Sequence, residues 1–295
     1  MRVWITGGAG FLGQRLGRRL ESRGHSVISL SRRKDYESTH SYQIDLASEE
    51  AVAQLRSVIK DSGEPEAVIH SAARQPGLKG ELRDYVKSNV FSTLNLIEAL
   101  IPTPPKQIIY TSTLNVYGRP GRNPVAESDP AGGTAPYSAT KRWAEQLFEH
   151  LKSGSKLIVL RIPSFYGKGQ VDSFIDGLAR IALQNQRMEL FSRGELIRDA
   201  LHVSDVVAAI DSCVTDPPEP EFICMNLGCG RAITSAEWAT ALVNALGSDS
   251  EIVPVDQETN QFDLYADIQL AQKTIGFQPT ELRESMARYA NELRT

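Results

Sequence analysis

MRVWITGGAGFLG, residues 1–13, decides how this sequence is read. Arg2 to Thr6 is a β-branched and aromatic run, glycines follow at Gly7, Gly10 and Gly13, and Phe11-Leu12 begins a helical pattern. The stretch predicts a strand, a glycine turn and a helix start. A glycine turns the chain at positive φ and, lacking a Cβ, lets backbone N–H groups approach a bound diphosphate; the helix N-terminus then faces negative charge. Gly13 is the position expected to let the first helix pack closely on the sheet. Such turns also occur without a ligand, so the surrounding chain has to supply the context.

The 295 residues hold 32 Lys plus Arg against 36 Asp plus Glu, a formal net charge of -4. A chain of this length buries roughly three quarters of its unfolded surface, enough for one large α/β domain or one with a smaller lobe. It lacks the overall basic field that a nucleic acid partner favours. No apolar run approaches bilayer-spanning length, and the first expected strand starts at Arg2 with no stretch for a signal peptide before it, so a cytoplasmic location and no membrane contact are expected. Cys213, Cys224 and Cys229 lack C-x-x-C spacing, and His25, His40, His70, His150 and His202 lack metal-ligand spacing. Neither a disulfide framework nor a metal site is expected.

Residues 26–30 (SVISL) read as the second strand, and its end is informative. A dinucleotide site usually sets an acidic residue about 20 positions past the glycines to accept the ribose 2′-OH. Ser31, Arg32 and Arg33 stand there instead. A hydroxyl and two guanidiniums suit a 2′-phosphate through paired, charge-assisted hydrogen bonds. NADP(H) is therefore preferred, with NAD(H) possible; the alternative is a solvated basic loop.

A short strand and turn at residues 43–46, an amphipathic helix at 48–60 and a buried strand at 67–70 follow. Ser71-Ala72-Ala73 leaves space at that strand's C-terminal end, the side where an open α/β sheet binds ligands. His70 reads as a hydrogen-bonded core residue. A helix at 82–100, a strand at 108–112 running into Thr113, and a loop at 119–135 long enough to be functional come next. The helix at 136–152 carries Tyr137 and Lys141, which at a spacing of four share one face. A nearby ammonium favours the phenolate, and bringing a phenol from about 10 to about 7 takes roughly 4 kcal/mol. The expectation is a lowered Tyr137 with Lys141 and an oxidised nicotinamide as its two cations.

Further helices are expected at 171–186, 204–215, 234–246 and 268–276, and strands at 188–191 and 222–227. No repeat, low-complexity tract or linker divides the chain. The expected fold class is α/β: a Rossmann-type doubly wound parallel sheet over residues 1–162, to which 205–227 returns, and a smaller interleaved α/β substrate lobe over 163–295.

TGGAGFLG, Asp45-Leu46, HSAA at 70–73, Asn89 in SNVFSTLNLIEA, STLNVYG, YSATK, RDALHVSDV at 198–206, NLGCG at 226–230 and LAQKTIGFQP at 270–279 together resemble the extended short-chain dehydrogenase/reductases. More narrowly they resemble the nucleotide-sugar epimerase, dehydratase and reductase branch. The resemblance implies that Gly7, Gly10, Phe11 and Leu12 hold the cofactor diphosphate, Asp45 and Leu46 the adenine, and Ser71, Ala72 and Ala73 the wall near the cofactor's middle. Pro163 is a further implied cofactor contact. Tyr137 becomes the proton donor or acceptor, Lys141 the nicotinamide-ribose ligand, and Thr113 the partner of the reacting oxygen; Ser112 points to the other face of the strand. The implied chemistry is hydride transfer at a sugar carbon, most often C4.

Departures from the branch pattern narrow the choice. Leu114 and Asn115 stand where the similar 4,6-dehydratases carry an Asp-Glu pair, which disfavours dehydration and decarboxylation alike. Ser164 replaces an asparagine that often holds the sugar diphosphate, and Asn260-Gln261 occupy the place of a common basic residue, leaving Arg198 as the implied phosphate contact. A smaller carbonyl substrate stays possible. A 4-ketoreductase and a C4-epimerase remain, with Ser31, Arg32 and Arg33 favouring the reductase because net reduction draws on NADPH. A non-catalytic dinucleotide sensor is the third reading, opposed by the retention of Tyr137 and Lys141. A homodimer through helices 82–100 and 136–152 is implied by resemblance alone.

Overall fold

Strand β1 (Arg2–Thr6) has Val3, Trp4, Ile5 and Thr6 fully buried, as a strand covered on both faces must be, so its sequence is a continuous apolar run rather than an alternation. The computed structural model describes residues 1–35, 38, 40–76, 81–150, 154–171 and 173–295. After β1 come α1 (Phe11–Ser22), β2 (Ser26–Ser31), β3 (Ser41–Gln43), α2 (Ala51–Ser62) and β4 (Ala67–His70). Next are α3 (Leu82–Tyr85), a π-helical turn (Val86–Phe91), α4 (Ser92–Leu100), β5 (Gln107–Thr113), a 3-10 turn (Leu114–Tyr117) and α5 (Pro136–His150). The remainder runs β6 (Lys156–Ile162), β7 (Ser164–Tyr166), α6 (Phe174–Leu183), β8 (Met188–Leu190), β9 (Ala200–His202), α7 (Val203–Thr215), β10 (Phe222–Asn226), α8 (Ser235–Leu246), β11 (Ile252–Pro254), α9 (Gln269–Ile275) and α10 (Leu282–Arg294).

Among the described residues, seven strands form one sheet in the order β10-β6-β5-β4-β1-β2-β3. β1 pairs in parallel with both β2 and β4, β2 with β3, and β4 with β5. The chain thus winds outward from β1 in both directions, and the order reverses between β1 and β4, where such sheets open a crevice beyond the strands' C-terminal ends. The expected doubly wound α/β sheet is what the chain forms.

The fold divides into two compact units: Met1–Gly118, Ala131–Arg161 and Val207–Met225 in the first, and Arg119–Pro130, Ile162–Val206 and Asn226–Thr295 in the second. The core of the first gathers Trp4, Leu55, Val68, Leu96, Tyr110, Phe148 and Val159 around the sheet. The second packs Tyr166, Leu178, Met188, Trp238, Met286 and Tyr289 between α6, α8 and α10. Among the described residues, no helix is long and apolar enough to cross a membrane.

Several boundaries differ from expectation for local reasons. β3 is Ser41–Gln43 rather than 43–46, because Asp45 turns the chain: its Oδ1 accepts from Ala47 N at 3.1 Å and its carbonyl from Ser48 N at 2.9 Å. α6 starts at Phe174 behind Ser173, whose side chain accepts from Asp176 N at 3.0 Å. It stops at Leu183 because Asn185 takes φ 51°. Residues 151 and 152 of the helix expected over 136–152 lie outside the described residues, as does residue 172. β7, β9, β11 and α10 are elements that the sequence pattern does not announce.

Candidate active site

The glycine turn leaves β1 at Gly7, whose φ of 73° is a left-handed value and whose N–H donates to Leu30 O on the neighbouring strand at 2.7 Å. A Cβ there would sit 3.0 Å from Ala72 N, so a side chain would strain the backbone and close the crevice wall. Gly10 caps α1 with no side-chain hydrogen bond, and no acidic residue occupies that helix's first turn. The first amides, those of Phe11 and Leu12 included, lie at the helix end of positive partial charge. Gly13 packs closely. A Cβ on it would meet Gly7 O at 2.3 Å and Gly8 Cα at 2.6 Å, so its missing side chain is what lets α1 sit against the turn that leaves β1.

One cleft in the first unit is lined by Gly7, Gly10, Ser31, Arg32, Arg33, Asp45, Leu46, Ser71, Ala72 and Ala73, together with Ala9, Leu30, Ile44, Ala47, Ser88 and Ser92. Ten of the expected cofactor positions, scattered over 67 residues of sequence, therefore face the same space. Its shape and donors fit a dinucleotide: a glycine floor, an open helix N-terminus, an apolar slot at Ile44 and Leu46, and cations at the end of β2. Arg32 and Arg33 are exposed, and Arg33 Nη2 reaches back to Ala9 O at 3.3 Å. Ser31 Oγ donates to the Arg33 carbonyl. Asn95 on α4, which nothing in the sequence pattern singles out, pins the far wall by donating to Leu46 O at 2.9 Å and Ser48 O at 3.2 Å. No group of His, Cys, Asp and Glu suited to a metal ion occurs among the described residues.

The candidate acid/base residues sit where β5 meets α5. Thr113 ends β5, is buried, and accepts from Asn115 N at 3.2 Å. Its side chain hydrogen-bonds the hydroxyl of Tyr137 on the first turn of α5. Lys141, one turn on, is buried; its Nζ donates to Thr111 O at 2.7 Å and lies 4.2 Å from the centre of the Tyr110 ring. The chain's own groups do not lower the phenol. Burial pushes Tyr137 up to about 12, against the Thr113 hydrogen bond, and burial pulls Lys141 down to about 7, against the charge of Glu145. Desolvation outweighs attraction for both groups.

His70 is a hydrogen-bonded core residue, as expected. Its ring nitrogens bond Thr6 Oγ1 at 2.7 Å and Thr93 Oγ1 at 2.9 Å, and burial drives it down to about 3, so it is neutral. It ties the end of β4 to β1 just ahead of Ser71, whose Oγ donates to Thr6 O at 2.7 Å. Asn89, in the π turn, accepts from Arg74 N at 2.7 Å and donates to Thr140 Oγ1 on α5 at 3.0 Å. π turns recur at functional sites, and this one aims a buried amide at the helix that carries Tyr137.

Pro163, Ser164 and Arg198 belong to the second unit. Pro163 is buried and Ser164, opening β7, is exposed. The Arg198 guanidinium lies 5.3 Å from the centre of the Phe174 ring; its Nε is buried without a hydrogen-bond partner. Burial alone lowers it, with no carboxylate acting on it. Next to it Asp199 is bonded by Cys229 N at 2.8 Å and Ala266 N at 3.0 Å, so that acid is consumed in holding the 226–230 segment.

A model of the NAD dependent epimerase/dehydratase family matches residues 3–228. The chain is 28% identical to a UDP-glucuronate 4-epimerase of Thermodesulfobacterium geofontis, over 97% of this chain and 94% of that protein. It is also 28% identical to a dTDP-6-deoxy-L-talose 4-dehydrogenase (NAD(P)(+)) of Kitasatospora kifunensis, over 97% of this chain and 93% of that protein. Among solved structures, MoeE5 in complex with UDP-glucuronic acid and NAD is similar with a TM-score of 0.86 at 28% identity, covering 100% of this chain and 99% of that one.

Proposed function

The chain belongs to the NAD dependent epimerase/dehydratase family, and from that premise we propose that it uses NADPH to reduce the C4 ketone of a nucleotide-linked hexose. The observation that carries the reading is the end of β2, where Ser31, Arg32 and Arg33 line the cleft with no carboxylate among them. Two guanidiniums and a hydroxyl recognise a ribose 2′-phosphate, and an NADPH-preferring enzyme is coupled to net reduction.

Gly7, Gly10 and the amides of Phe11 and Leu12 hold the cofactor diphosphate, with Gly13 letting the helix close on the turn. Asp45 and Leu46 hold the adenine, Ser71 to Ala73 form the wall near the cofactor's middle, Pro163 is a further cofactor contact, and Lys141 takes the nicotinamide ribose. When bound, the nicotinamide supplies the hydride. The chain's own residues manage the proton. Thr113 fixes the carbonyl oxygen and Tyr137 gives its hydroxyl proton to that oxygen as it becomes an alcohol. Ser164 and Arg198 are assigned to the substrate, Arg198 to a phosphate that meets its unpaired guanidinium. Leu114 and Asn115 after Thr113 offer no carboxylic acid to eliminate water.

A C4-epimerase is the second reading, favoured by the 28% identity to a UDP-glucuronate 4-epimerase. Incubation of the purified protein with NADPH or NADH and a panel of nucleotide-linked 4-keto-6-deoxyhexoses separates the two. NADPH absorbance lost with one of the sugars supports the reductase; interconversion of UDP-glucose and UDP-galactose, or of the glucuronate pair, without NADPH consumption replaces it with the epimerase. Tyr137→Phe is expected to cut turnover by about 10²–10⁴ with cofactor affinity retained, whereas a dinucleotide sensor has no turnover to lose. We also propose a homodimer through the helical segment 82–100 and α5, where Phe91 in the π turn is 51% and Trp143 on α5 43% exposed. Sedimentation of the Phe91→Ser/Trp143→Ser protein as a monomer, against a dimeric parent, tests that assembly.

A further inference from the structure

Three consecutive residues of β5 each hold one residue of α5. The Thr113 side chain bonds Tyr137, the Thr111 carbonyl accepts from Lys141, and Ser112 Oγ donates to Glu145. Tyr137, Lys141 and Glu145 are four apart and share a helix face. Glu145 is 2% exposed and its carboxylate is saturated. Besides Ser112, Oε1 accepts from Arg161 Nε at 3.2 Å, and Oε2 accepts from Arg161 Nη2 at 2.9 Å and Arg142 Nη1 at 2.7 Å. Arg161, on β6, is itself buried and turns its remaining nitrogen to the Tyr117 hydroxyl at 2.9 Å. A fork on a carboxylate with every lone pair engaged is rigid and stays ionised.

We propose that Glu145 is a positioning residue for the Tyr137 site: without touching substrate or cofactor, it sets a fixed negative charge one helical turn from Lys141 and fixes the register of α5 on β5 through Ser112. The inference rests on the reading of Tyr137 and Lys141 given above. The ionisable groups around the Lys141 amine are His70 on β4, Tyr110 on β5, and Tyr137 and Glu145 on α5, with Arg142 and Arg161 bonded to the Glu145 carboxylate. His70 is neutral, and burial holds the Tyr110 and Tyr137 phenols protonated. Glu145 is the acidic group that opposes the loss of the Lys141 proton. Burial pushes its own carboxyl up, but the Arg161 fork with the Ser112 and Arg142 bonds prevails and holds it below the usual range. Glu145 therefore supplies its charge throughout the working pH range.

The test follows Lys141 directly, in protein carrying isotope-labelled lysine whose Lys141 signal is assigned by its loss in Lys141→Arg. In Glu145→Gln the titration midpoint is expected to fall by about one pH unit, a tenfold shift toward the free amine, and the alkaline limb of kcat/KM is expected to fall with it. Ser112→Ala removes one bond but leaves the charge, so its midpoint stays near the parent's while kcat drops through loosened register. A folded Glu145→Gln protein with an unmoved Lys141 midpoint overturns the proposal, as does a Ser112→Ala shift equally large. Should Glu145→Gln fail to fold with Arg161 left unpaired, Glu145→Gln/Arg161→Met removes the pair together and is read the same way. Absence of turnover in the parent protein breaks the proposed reaction instead, and leaves the lysine titration readable.

Discussion

Arg161 and Arg198 are both guanidiniums drawn out of water, and their surroundings differ in one respect. Arg161 forks onto Glu145 and bonds the Tyr117 hydroxyl; the carboxylate more than offsets burial and raises its affinity for the proton. Arg198 has a ring face at 5.3 Å and an orphaned Nε, so burial lowers it unopposed. A buried cation with its anion in the same chain is part of the scaffold. Arg198 has no such anion among the described residues, as the proposed contact with a substrate phosphate requires.

The comparison breaks most sharply on stability. Arg161→Ala leaves Glu145 buried without its main partner and is expected to cost about 3–5 kcal/mol in urea unfolding; a loss under about 1 kcal/mol would make the fork dispensable. Arg198→Ala is expected to leave the unfolding midpoint almost unchanged and to raise KM for the nucleotide sugar roughly tenfold to hundredfold, with kcat little affected, as loss of a hydrogen bond to a charged group predicts. If stability falls and KM does not move, the two arginines are alike after all.

The same contrast extends to a neutral group. His70 titrates at about 3 in the fold and near 6.5 unfolded, so the unfolded chain takes the proton first. Its share of stability is complete above pH 6.5 and is lost as pH falls toward 3, at a limit of about 1.4 kcal/mol per pH unit. Unfolding curves of His70→Gln should show a shallower acid decline, and parallel curves would contradict a buried neutral imidazole. The smallest effect belongs to the exposed cations: Arg32→Ala/Arg33→Ala is expected to raise KM for NADPH about tenfold and leave that for NADH unchanged. Equal effects on both cofactors would leave the basic loop as solvated surface.

Local chemistry makes part of this legible in the sequence. The glycine turn, the buried runs of β1, β4 and β5, and the shared face of Tyr137 and Lys141 follow from spacings between near neighbours. The protonation of Tyr137 and Lys141 does not follow, because desolvation is set by what packs over a group and sequence spacing carries only the attraction. Nor is the Glu145–Arg161 fork visible there. The two lie 16 positions apart on a helix and a strand, each in a setting that reads as ordinary surface charge or motif. The contacts of Asn89 are equally silent, since a π turn inside a helical pattern leaves no mark in the apolar period, and those of Asn95 on α4 reach Leu46 and Ser48, far away in sequence.

By itself the sequence determined the doubly wound sheet, the cleft beyond its β1 and β4 ends and the placing of Tyr137 and Lys141 on one helix face, since each is encoded in neighbours along the chain. Tertiary structure decided which charges are paired, which stand open and which way each proton is held. Those depend on solvent exclusion and on contacts between elements far apart in sequence, and water is displaced only when the elements close on one another.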